Sequence, residues 1–249
     1  MFSKGFLKNI LKLYILGVMT LFSSFVYSAE LKFITLEVAP WAYLDEEEPM
    51  AFLGVFPMLV SEIERRTGHN IQITLAGFSF ERINRELKAG RQDCTVVIRS
   101  KHRDMITILG ESVLDLSMGI LPSNKIPLHN YQPLKKLKIS TIREFLIGTK
   151  LMSDDHLMVE FDSDYHESLR KLEHGRIDGI AGPISKIQYL AKMNGVFELL
   201  GEPLVLSSEP VHLQCSIESE KLKYMGDVNK AIRDIKKELV LDKMLSFYQ

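Results

Sequence analysis

The chain has 249 residues, with 31 Lys and Arg against 32 Asp and Glu, and a formal net charge of −1. This balance argues against a nucleic acid or an anionic membrane surface as a partner, because both select an excess of basic residues. The length exceeds that of one typical domain and suits two units of about a hundred residues each.

The first 28 residues have the pattern of a secretory signal peptide. Lys4, Lys8 and Lys12 flank or precede an apolar run over residues 13–26, which is shorter than the ~20 residues a bilayer span requires. Val26 and Ser28 are small, so we expect cleavage after Ser28; a retained N-terminal anchor is the alternative. Cleavage would leave 221 residues with 28 basic and 32 acidic side chains, a net charge of −4.

Two cysteines, Cys94 and Cys215, lie far from the expected cleavage site, so the sequence predicts no lipid anchor. Export to an oxidising compartment permits a disulfide between them. Two separate buried thiols are the other common outcome. The sequence leaves both possibilities open.

From Leu31 onward, short β-rich runs alternate with segments of helical periodicity, which is the pattern of an α/β fold. In chain order we predict a strand at 31–38, a helix at 56–66, a strand at 71–75, a helix at 80–89 and a strand at 94–98. Gly68 and Gly90 follow the two helices as stop signals.

A short repeat indicates the domain plan. The segment Leu87-Lys-Ala-Gly-Arg-Gln-Asp93 recurs as Leu172-Glu-His-Gly-Arg-Ile-Asp178. Each copy closes an amphipathic helix with a glycine cap and opens an apolar strand. Two lobes built on one plan are predicted; the alternative is that such junctions are common to all α/β proteins.

The remaining elements suggest how the chain passes between the lobes. We predict a strand at 117–121, a proline-spaced crossing with Pro122, Pro127 and Pro133, and a strand at 137–141. An extended segment at 211–217 then recrosses, and an amphipathic helix at 227–239 closes the chain. The expected first lobe comprises 29–119 and 212–249, and the second comprises 120–211.

These residues resemble a known family. Glu37-Val-Ala-Pro-Trp-Ala-Tyr43, Gly54-Val-Phe-Pro-Met-Leu-Val60, the repeat, Arg103 and Gly201-Glu-Pro-Leu204 occur in the order found in family 3 extracellular solute-binding proteins, the polar amino acid receptors of ATP-driven importers. The resemblance implies the type II periplasmic-binding-protein fold, with two α/β lobes joined by two hinge strands. It also implies a periplasmic monomer without cofactor or metal, which binds a small molecule and an inner-membrane ABC permease.

The resemblance assigns Arg103 to the ligand's carboxylate, a task that suits the paired donors of a guanidinium. Ser100 is expected to cap the short helix that carries Arg103. Arg99 is the alternative to Arg103 as the residue that binds the carboxylate. Alternatively, Arg103 is a surface residue paired with Asp104.

The same resemblance places aromatic walls at Trp41, Tyr43 and Phe80, where rings offer large rigid contact areas. Each ring has core packing as its alternative role. Glu37 is a candidate acceptor for a ligand ammonium, or else it solvates the end of the first strand.

The second lobe departs from the family pattern. The position where the family carries an acid for the α-amino group is Pro183, which has no side-chain acceptor. Gly148 and Thr149, or Ser185, are substitutes. A carboxylated solute without that amine, or a peptide-like or modified one, fits equally well.

The sequence contains neither the catalytic motif of a metalloprotease nor that of a serine hydrolase, and it has no phosphate-binding loop. We therefore expect a binding protein rather than an enzyme. One alternative is a periplasmic sensor whose closed form engages a signalling receptor. Another is an enzyme like cyclohexadienyl dehydratase, which uses this fold, with Glu37 or Glu111 acting beside Arg103.

Overall fold

The computed structural model describes residues 28–45, 47–48, 51–142 and 156–248. Residues 1–27 of the expected signal peptide and the candidates Gly148 and Thr149 lie outside these ranges. No helix in the described ranges is long and apolar enough to cross a membrane.

The first part of the chain alternates strands and helices as the sequence predicts. Its elements are β1 (Glu30–Thr35), β2 (Tyr43–Leu44), β3 (Phe52–Leu53), α1 (Val55–Thr67), β4 (Asn70–Leu75), α2 (Phe80–Lys88), β5 (Cys94–Ile98) and β6 (Thr107–Pro122). Helix α1 buries one apolar face, and it ends at Gly68, whose φ of 70° is left-handed. In helix α2, the Ser79 hydroxyl caps the first turn by accepting the Arg82 amide at 3.1 Å.

The second part repeats this alternation and then returns to the beginning. Its elements are β7 (Lys138–Thr141), β8 (Met158–Phe161), α3 (Tyr165–Glu173), β9 (Gly179–Pro183), α4 (Ile184–Met193), β10 (Leu204–Ser216), α5 (Met225–Lys237) and α6 (Val240–Ser246). The sequence analysis did not assign strand β8 or helices α4 and α6, and it predicted where strand β9 begins but not where it ends.

In the described part of the chain, eight strands form one sheet in the order β4-β1-β5-β10-β6-β9-β7-β8. The outer groups, β4-β1-β5 and β9-β7-β8, are each parallel, whereas β10 and β6 run antiparallel to each other and to their outer neighbours. The architecture is therefore two α/β lobes joined by two long strands, as predicted. The exact lobe boundaries given above stay a prediction.

Both connecting strands are longer than the sequence suggested. The predicted strand at 117–121 is the end of β6, and the predicted segment at 211–217 is the end of β10. Strand β6 itself crosses between the lobes, so the proline-spaced stretch is not the crossing. That stretch lies within the second lobe, where Leu128 and Leu134 pack on Ile139.

Separate hydrophobic cores stabilise the lobes. The largest cluster joins β1, α1 and the C-terminal helices, through Phe33, Phe56 and Ile232 among others. A second one lies under α3 and α4, centred on Tyr165, Leu169 and Ile187. Burial of these side chains, at about 1.5–3 kcal/mol each, is what holds each lobe together.

The sequence repeat corresponds to a repeated corner in each lobe. Gly90 and Gly175 have φ values of 65° and 64°, a conformation that other residues rarely adopt. The Asp93 carboxylate then accepts the backbone amide of Lys32 at 2.7 Å, and the Asp178 carboxylate accepts that of Lys138 at 2.8 Å. Each aspartate thereby ties the end of a helix to the first strand of its lobe.

Cys94 and Cys215 form a disulfide, which resolves the alternatives that the sequence left open. They are directly paired residues of β5 and β10, the antiparallel neighbours in the first lobe. The bond links positions 121 residues apart, so it fastens the returning strand to the first lobe.

The closing helix begins and ends two residues earlier than predicted, over Met225–Lys237. Leu239, which the periodicity placed on its buried face, lies beyond its end and is 61% exposed with a φ of 57°. The left-handed backbone at Leu239 turns the chain into α6, which brings Leu245 and Tyr248 back toward the space between the lobes.

Candidate functional site

A cavity of about 140 Å³ lies where the two lobes face each other beside the connecting strands. Its walls come from both lobes, from both connecting strands and from the C-terminal segment. The described lining residues are Leu36, Val38, Ala39, Pro40, Trp41, Val55, Phe78, Phe80, Val97, Ile98, Leu114, Leu116, Pro183, Ser185, Lys186, Val211, Leu245 and Tyr248. All but Ser185 and Lys186 are apolar or aromatic, so the cavity suits an apolar body with one polar group.

Trp41 and Phe80, two of the predicted aromatic walls, lie on this cavity. Trp41 packs against Phe56 with ring centroids 5.7 Å apart, and its indole N–H donates to the Thr35 hydroxyl at 2.9 Å. Because that N–H is already bonded, Trp41 offers the cavity its ring face. Phe80 begins α2 and also covers Arg103.

Arg103 lies behind the cavity wall. Its side chain donates to the side-chain amide oxygens of Gln214 at 3.2 Å and Asn84 at 3.1 Å, and to the main-chain oxygen of Ile98. The guanidinium carbon is 5.2 Å from the centre of the Phe80 ring, which lies on the cavity. Arg103 itself is not among the residues that line the cavity.

Burial defines the electrostatics of Arg103. The residue is 3% exposed, which contradicts the alternative of a surface arginine. Burial lowers its pKa to about 10, while nearby Asp104 acts in the opposite direction, so the group remains charged at neutral pH. Three acceptors with no carboxylate among them satisfy this charge only in part.

Arg99 and Ser100 have other partners. Arg99 is exposed and forms an ion pair with Asp104 at 2.8 Å, the pairing that the sequence considered for Arg103. The Ser100 hydroxyl accepts the Arg103 amide at 3.3 Å, just before a short 3₁₀ helix over Arg103–Met105 whose N-cap residue is His102 and not Ser100 as predicted. Neither residue lines the cavity.

Tyr43 and Glu37 also lie outside the cavity wall. Burial raises the pKa of the Tyr43 phenol far above its usual range, and the neighbouring phenols of Tyr189 and Tyr248 raise it further. Tyr43 thus belongs to a cluster of three tyrosines at the junction of β2, α4 and the C-terminus. Glu37 is exposed, and its backbone amide donates to the Gly77 oxygen at 2.9 Å.

Glu111, named for the enzymatic alternative, is bound elsewhere. Its carboxylate accepts from Arg233 at 2.6 Å on the outer side of the first lobe. The structure does not bring Glu37 or Glu111 to Arg103.

The second lobe contributes Pro183, Ser185 and Lys186, all at the junction of β9 and α4. Lys186 Nζ is 5.5 Å from the centre of the Phe78 ring in the first lobe and 5.7 Å from that of Tyr165 in its own lobe. Burial lowers the pKa of Lys186, with Asp164 acting in the opposite direction. It is the only charged side chain among the described lining residues.

Sequence reasoning missed several residues of the cavity, among them Lys186, Leu245 and Tyr248. The sequence could have indicated Lys186, because it is a single cation in the mostly apolar run Pro183-Ile-Ser-Lys-Ile187 directly after the repeat strand. No sequence pattern indicated Leu245 and Tyr248, because only the turn at Leu239 directs them toward the cavity.

Known proteins support the fold. No protein-family model matches the chain, and no curated protein sequence matches it either. Among solved structures, an amino-acid ABC transporter extracellular-binding protein, ytmK from Bacillus subtilis, is similar at 15% identity and a TM-score of 0.69, covering 87% of this chain and 96% of its own.

Two further structures have similar coverage. An ancestral cationic amino acid solute-binding protein has 16% identity, a TM-score of 0.69 and coverage of 88% and 95%. A histidine kinase sensor domain with similarity to periplasmic binding proteins has 13% identity, a TM-score of 0.67 and coverage of 89% and 96%. The chain therefore has the type II periplasmic-binding-protein fold.

Proposed function

We propose that the protein is a family 3-type periplasmic solute-binding protein that captures a small, carboxylate-bearing, amino-acid-like solute between its lobes. The observation that carries this proposal is the cavity between the lobes, which has Trp41 and Phe80 on one side and Pro183 and Lys186 on the other. A solute that contacts both sides favours the closed arrangement over the open one, and only such a preference shifts the equilibrium between them.

The two connecting strands contain a segment that can act as a hinge between the lobes. Residues 115–117 of β6 and 208–210 of β10 pair with each other and with no outer strand. The register also shifts between Val205 and Ser207 and again between Val211 and His212. A two-stranded ribbon with such irregularities bends more readily than the wide sheet on either side, as hinge closure requires.

Delivery to an inner-membrane ABC permease is the proposed outcome of closure. The support is the N-terminal signal pattern, the absence of a cysteine near the expected cleavage site and the importer-associated neighbours described above. We propose a monomer that is free in the periplasm, because both lobes of one chain contribute to the described cavity wall.

Sensing is the second candidate function. The histidine kinase sensor domain aligns with a TM-score of 0.67, close to the 0.69 of the transporter-associated protein. In this case the closed form engages a receptor instead of a permease, while the binding step stays the same.

A thermal-shift screen against amino acids, carboxylic acids and short peptides tests the shared binding step. A ligand at a hundred times its dissociation constant should stabilise the fold by about 2.7 kcal/mol. Small-angle scattering should then show a smaller radius of gyration with that ligand. A screen without any stabilising compound would contradict the proposal.

A binding experiment with the ligand-loaded protein distinguishes transport from sensing, because the two functions require different partners. Detergent-solubilised permease captured on the loaded protein would support transport, and a receptor ectodomain captured in its place would support sensing. Turnover of prephenate or arogenate by the purified protein would overturn both in favour of the dehydratase-like alternative.

A further inference from the structure

The second-lobe wall of the cavity holds a cation where an amino acid's ammonium would need an anion. Pro183 lines the cavity without a side-chain acceptor, and Lys186 follows one helical turn later. Among the described lining residues there is no carboxylate. An α-ammonium group would therefore meet a positive charge and no partner.

Three features make Lys186 unfavourable without a ligand. It lies in the first turn of α4, at the positive end of the helix dipole. It is surrounded by apolar and aromatic side chains, so its charge is poorly hydrated. No carboxylate of the described chain lies within ion-pair distance of its Nζ, and the stacked rings of Phe78 and Tyr165 compensate only in part. An anion in the cavity would relieve all three.

No cation of the first lobe is among the described residues that line the cavity. The Arg103 guanidinium is held by Gln214, Asn84 and Ile98 behind the Phe80 ring. Arg99 is exposed and bound to Asp104. The anion is thus attracted to the second lobe, and the apolar remainder of the ligand faces Trp41 and Phe80.

The volume limits the size of that remainder. A cavity of about 140 Å³ is close to the ~150 Å³ apolar cavity that accommodates benzene in an engineered protein. One six-membered ring fills it.

We propose that the ligand is an amine-free organic monocarboxylate with a single-ring aromatic or cyclic apolar body, whose carboxylate pairs with Lys186. This inference rests on the proposed function, because it names the solute that the cleft selects. Among the carboxylate-bearing solutes of that proposal, it selects one that lacks the ammonium.

The experiment compares matched probes on protein expressed from the full 249-residue sequence and purified as the host processes it. Benzoate, phenylacetate, 3-phenylpropionate and cyclohexanecarboxylate are titrated by calorimetry, each beside its neutral amide and beside phenylalanine. We expect at least one acid to bind at least tenfold more tightly than its amide and than phenylalanine.

Variants then locate the anchor. Lys186→Met keeps the length of the stem and should reduce the affinity for the acid to that of its amide. Lys186→Arg should restore the preference for the acid. Lys192→Met, on the same helix and over the Phe197 ring outside the cavity, is the matched control and should behave like the parent. Melting temperatures verify that each variant is folded.

The outcomes separate the inference from the function on which it rests. If phenylalanine or another amino acid binds more tightly than every acid, or if Lys186→Met keeps the preference, the inference is overturned and the binding function stands. If neither these probes nor the wider screen gives any binding, both are overturned.

Discussion

The two lobes share a backbone frame but fill it with different chemistry. In the first lobe the Ala76 amide donates to the Thr35 oxygen at 2.9 Å, and in the second the Asp162 amide donates to the Thr141 oxygen at 2.9 Å. Together with the repeated aspartate corners, these bonds place Ile34, Ala76 and Ile83 in positions equivalent to those of Ser140, Asp162 and Ser168.

The equivalent triads are apolar in one lobe and hydrogen-bonded in the other. Ile34, Ala76 and Ile83 belong to a single hydrophobic cluster. Ser140 and Ser168 both donate to the buried Asp162 carboxylate, which also pairs with Lys171. Backbone bonds and glycine turns thus define the frame, and the interior tolerates either solution provided that every buried polar group has a partner.

The disulfide is the largest asymmetry between the lobes, because the second copy of the repeat has Gly179 where the first has Cys94. The bond closes a loop of 121 residues, so Cys94→Ala/Cys215→Ala should lower the free energy of unfolding by about 4 kcal/mol. Urea denaturation measures this loss. A reductant should destabilise the parent to the same level and leave the double variant unchanged; a parent insensitive to reductant would contradict the prediction.

Breaking the polar triad should have the next largest effect. Asp162→Ala leaves two buried hydroxyls without their shared acceptor, and the expected loss is about 3 kcal/mol. Glu160→Ala removes the exposed carboxylate that contacts the same Lys171, and is the control that should change stability little. Equal losses in both variants would mean that Lys171 pairing, rather than the buried triad, stabilises this lobe.

The same triad predicts a dependence on pH. Burial acts to raise the pKa of Asp162, but hydrogen bonds from Lys171, Ser140 and Ser168 hold it below its ordinary value. A lowered folded-state pKa stabilises the fold above the unfolded pKa of ~3.9, and that stability is lost as the pH falls through the folded value. The gap between the parent and Asp162→Asn should therefore be full at neutral pH and close below about pH 4.

The frame was predictable from sequence because local signals carry it. The repeat identified equivalent corners, and Gly90 and Gly175 both have the left-handed turn that follows a helix, as predicted. The bonds from Asp93 and Asp178 to the first strand of each lobe were seen only in the structure. The polar triad was not predictable, since Ser140, Asp162 and Ser168 belong to three elements and no local pattern joins them.

The site was predictable only in part for the same reason. Trp41 and Phe80 were assigned to the ligand site through the family resemblance, and both line the cavity. The burial of Arg103 depends on Gln214, which is 111 residues away, so no local pattern showed that this arginine has acceptors within its own lobe.

Arg103 and Lys186 each follow a repeat strand, and replacing them with an uncharged residue should change the stability of the ligand-free protein in opposite directions. Arg103→Met leaves three acceptors unpaired in the first lobe and should cost about 2 kcal/mol. Lys186→Met removes a poorly hydrated charge and should leave the ligand-free protein equally or more stable. Parallel urea titrations compare the two variants.

The pH dependence of Lys186 sharpens this contrast. Its folded pKa lies below the unfolded value of ~10.4, so the unfolded chain binds the proton more tightly between the two values. Parent stability relative to Lys186→Met should therefore rise with pH over that window. A parent that is more stable than the variant at neutral pH, without ligand, would contradict the prediction.

The smallest expected effect concerns the repeated aspartates themselves. Asp93 is buried and accepts from the Ser219 hydroxyl as well as from the Lys32 amide, whereas Asp178 is half-buried and accepts from the Lys138 amide. Asp93→Ala should therefore destabilise by about 2 kcal/mol and Asp178→Ala by about 1 kcal/mol. Hydrogen exchange should show faster exchange at the Lys32 amide in the first variant and at the Lys138 amide in the second, each without change in the other lobe. Equal losses would mean that the corner bond alone sets the contribution, and that the additional Ser219 contact in the first lobe adds nothing measurable.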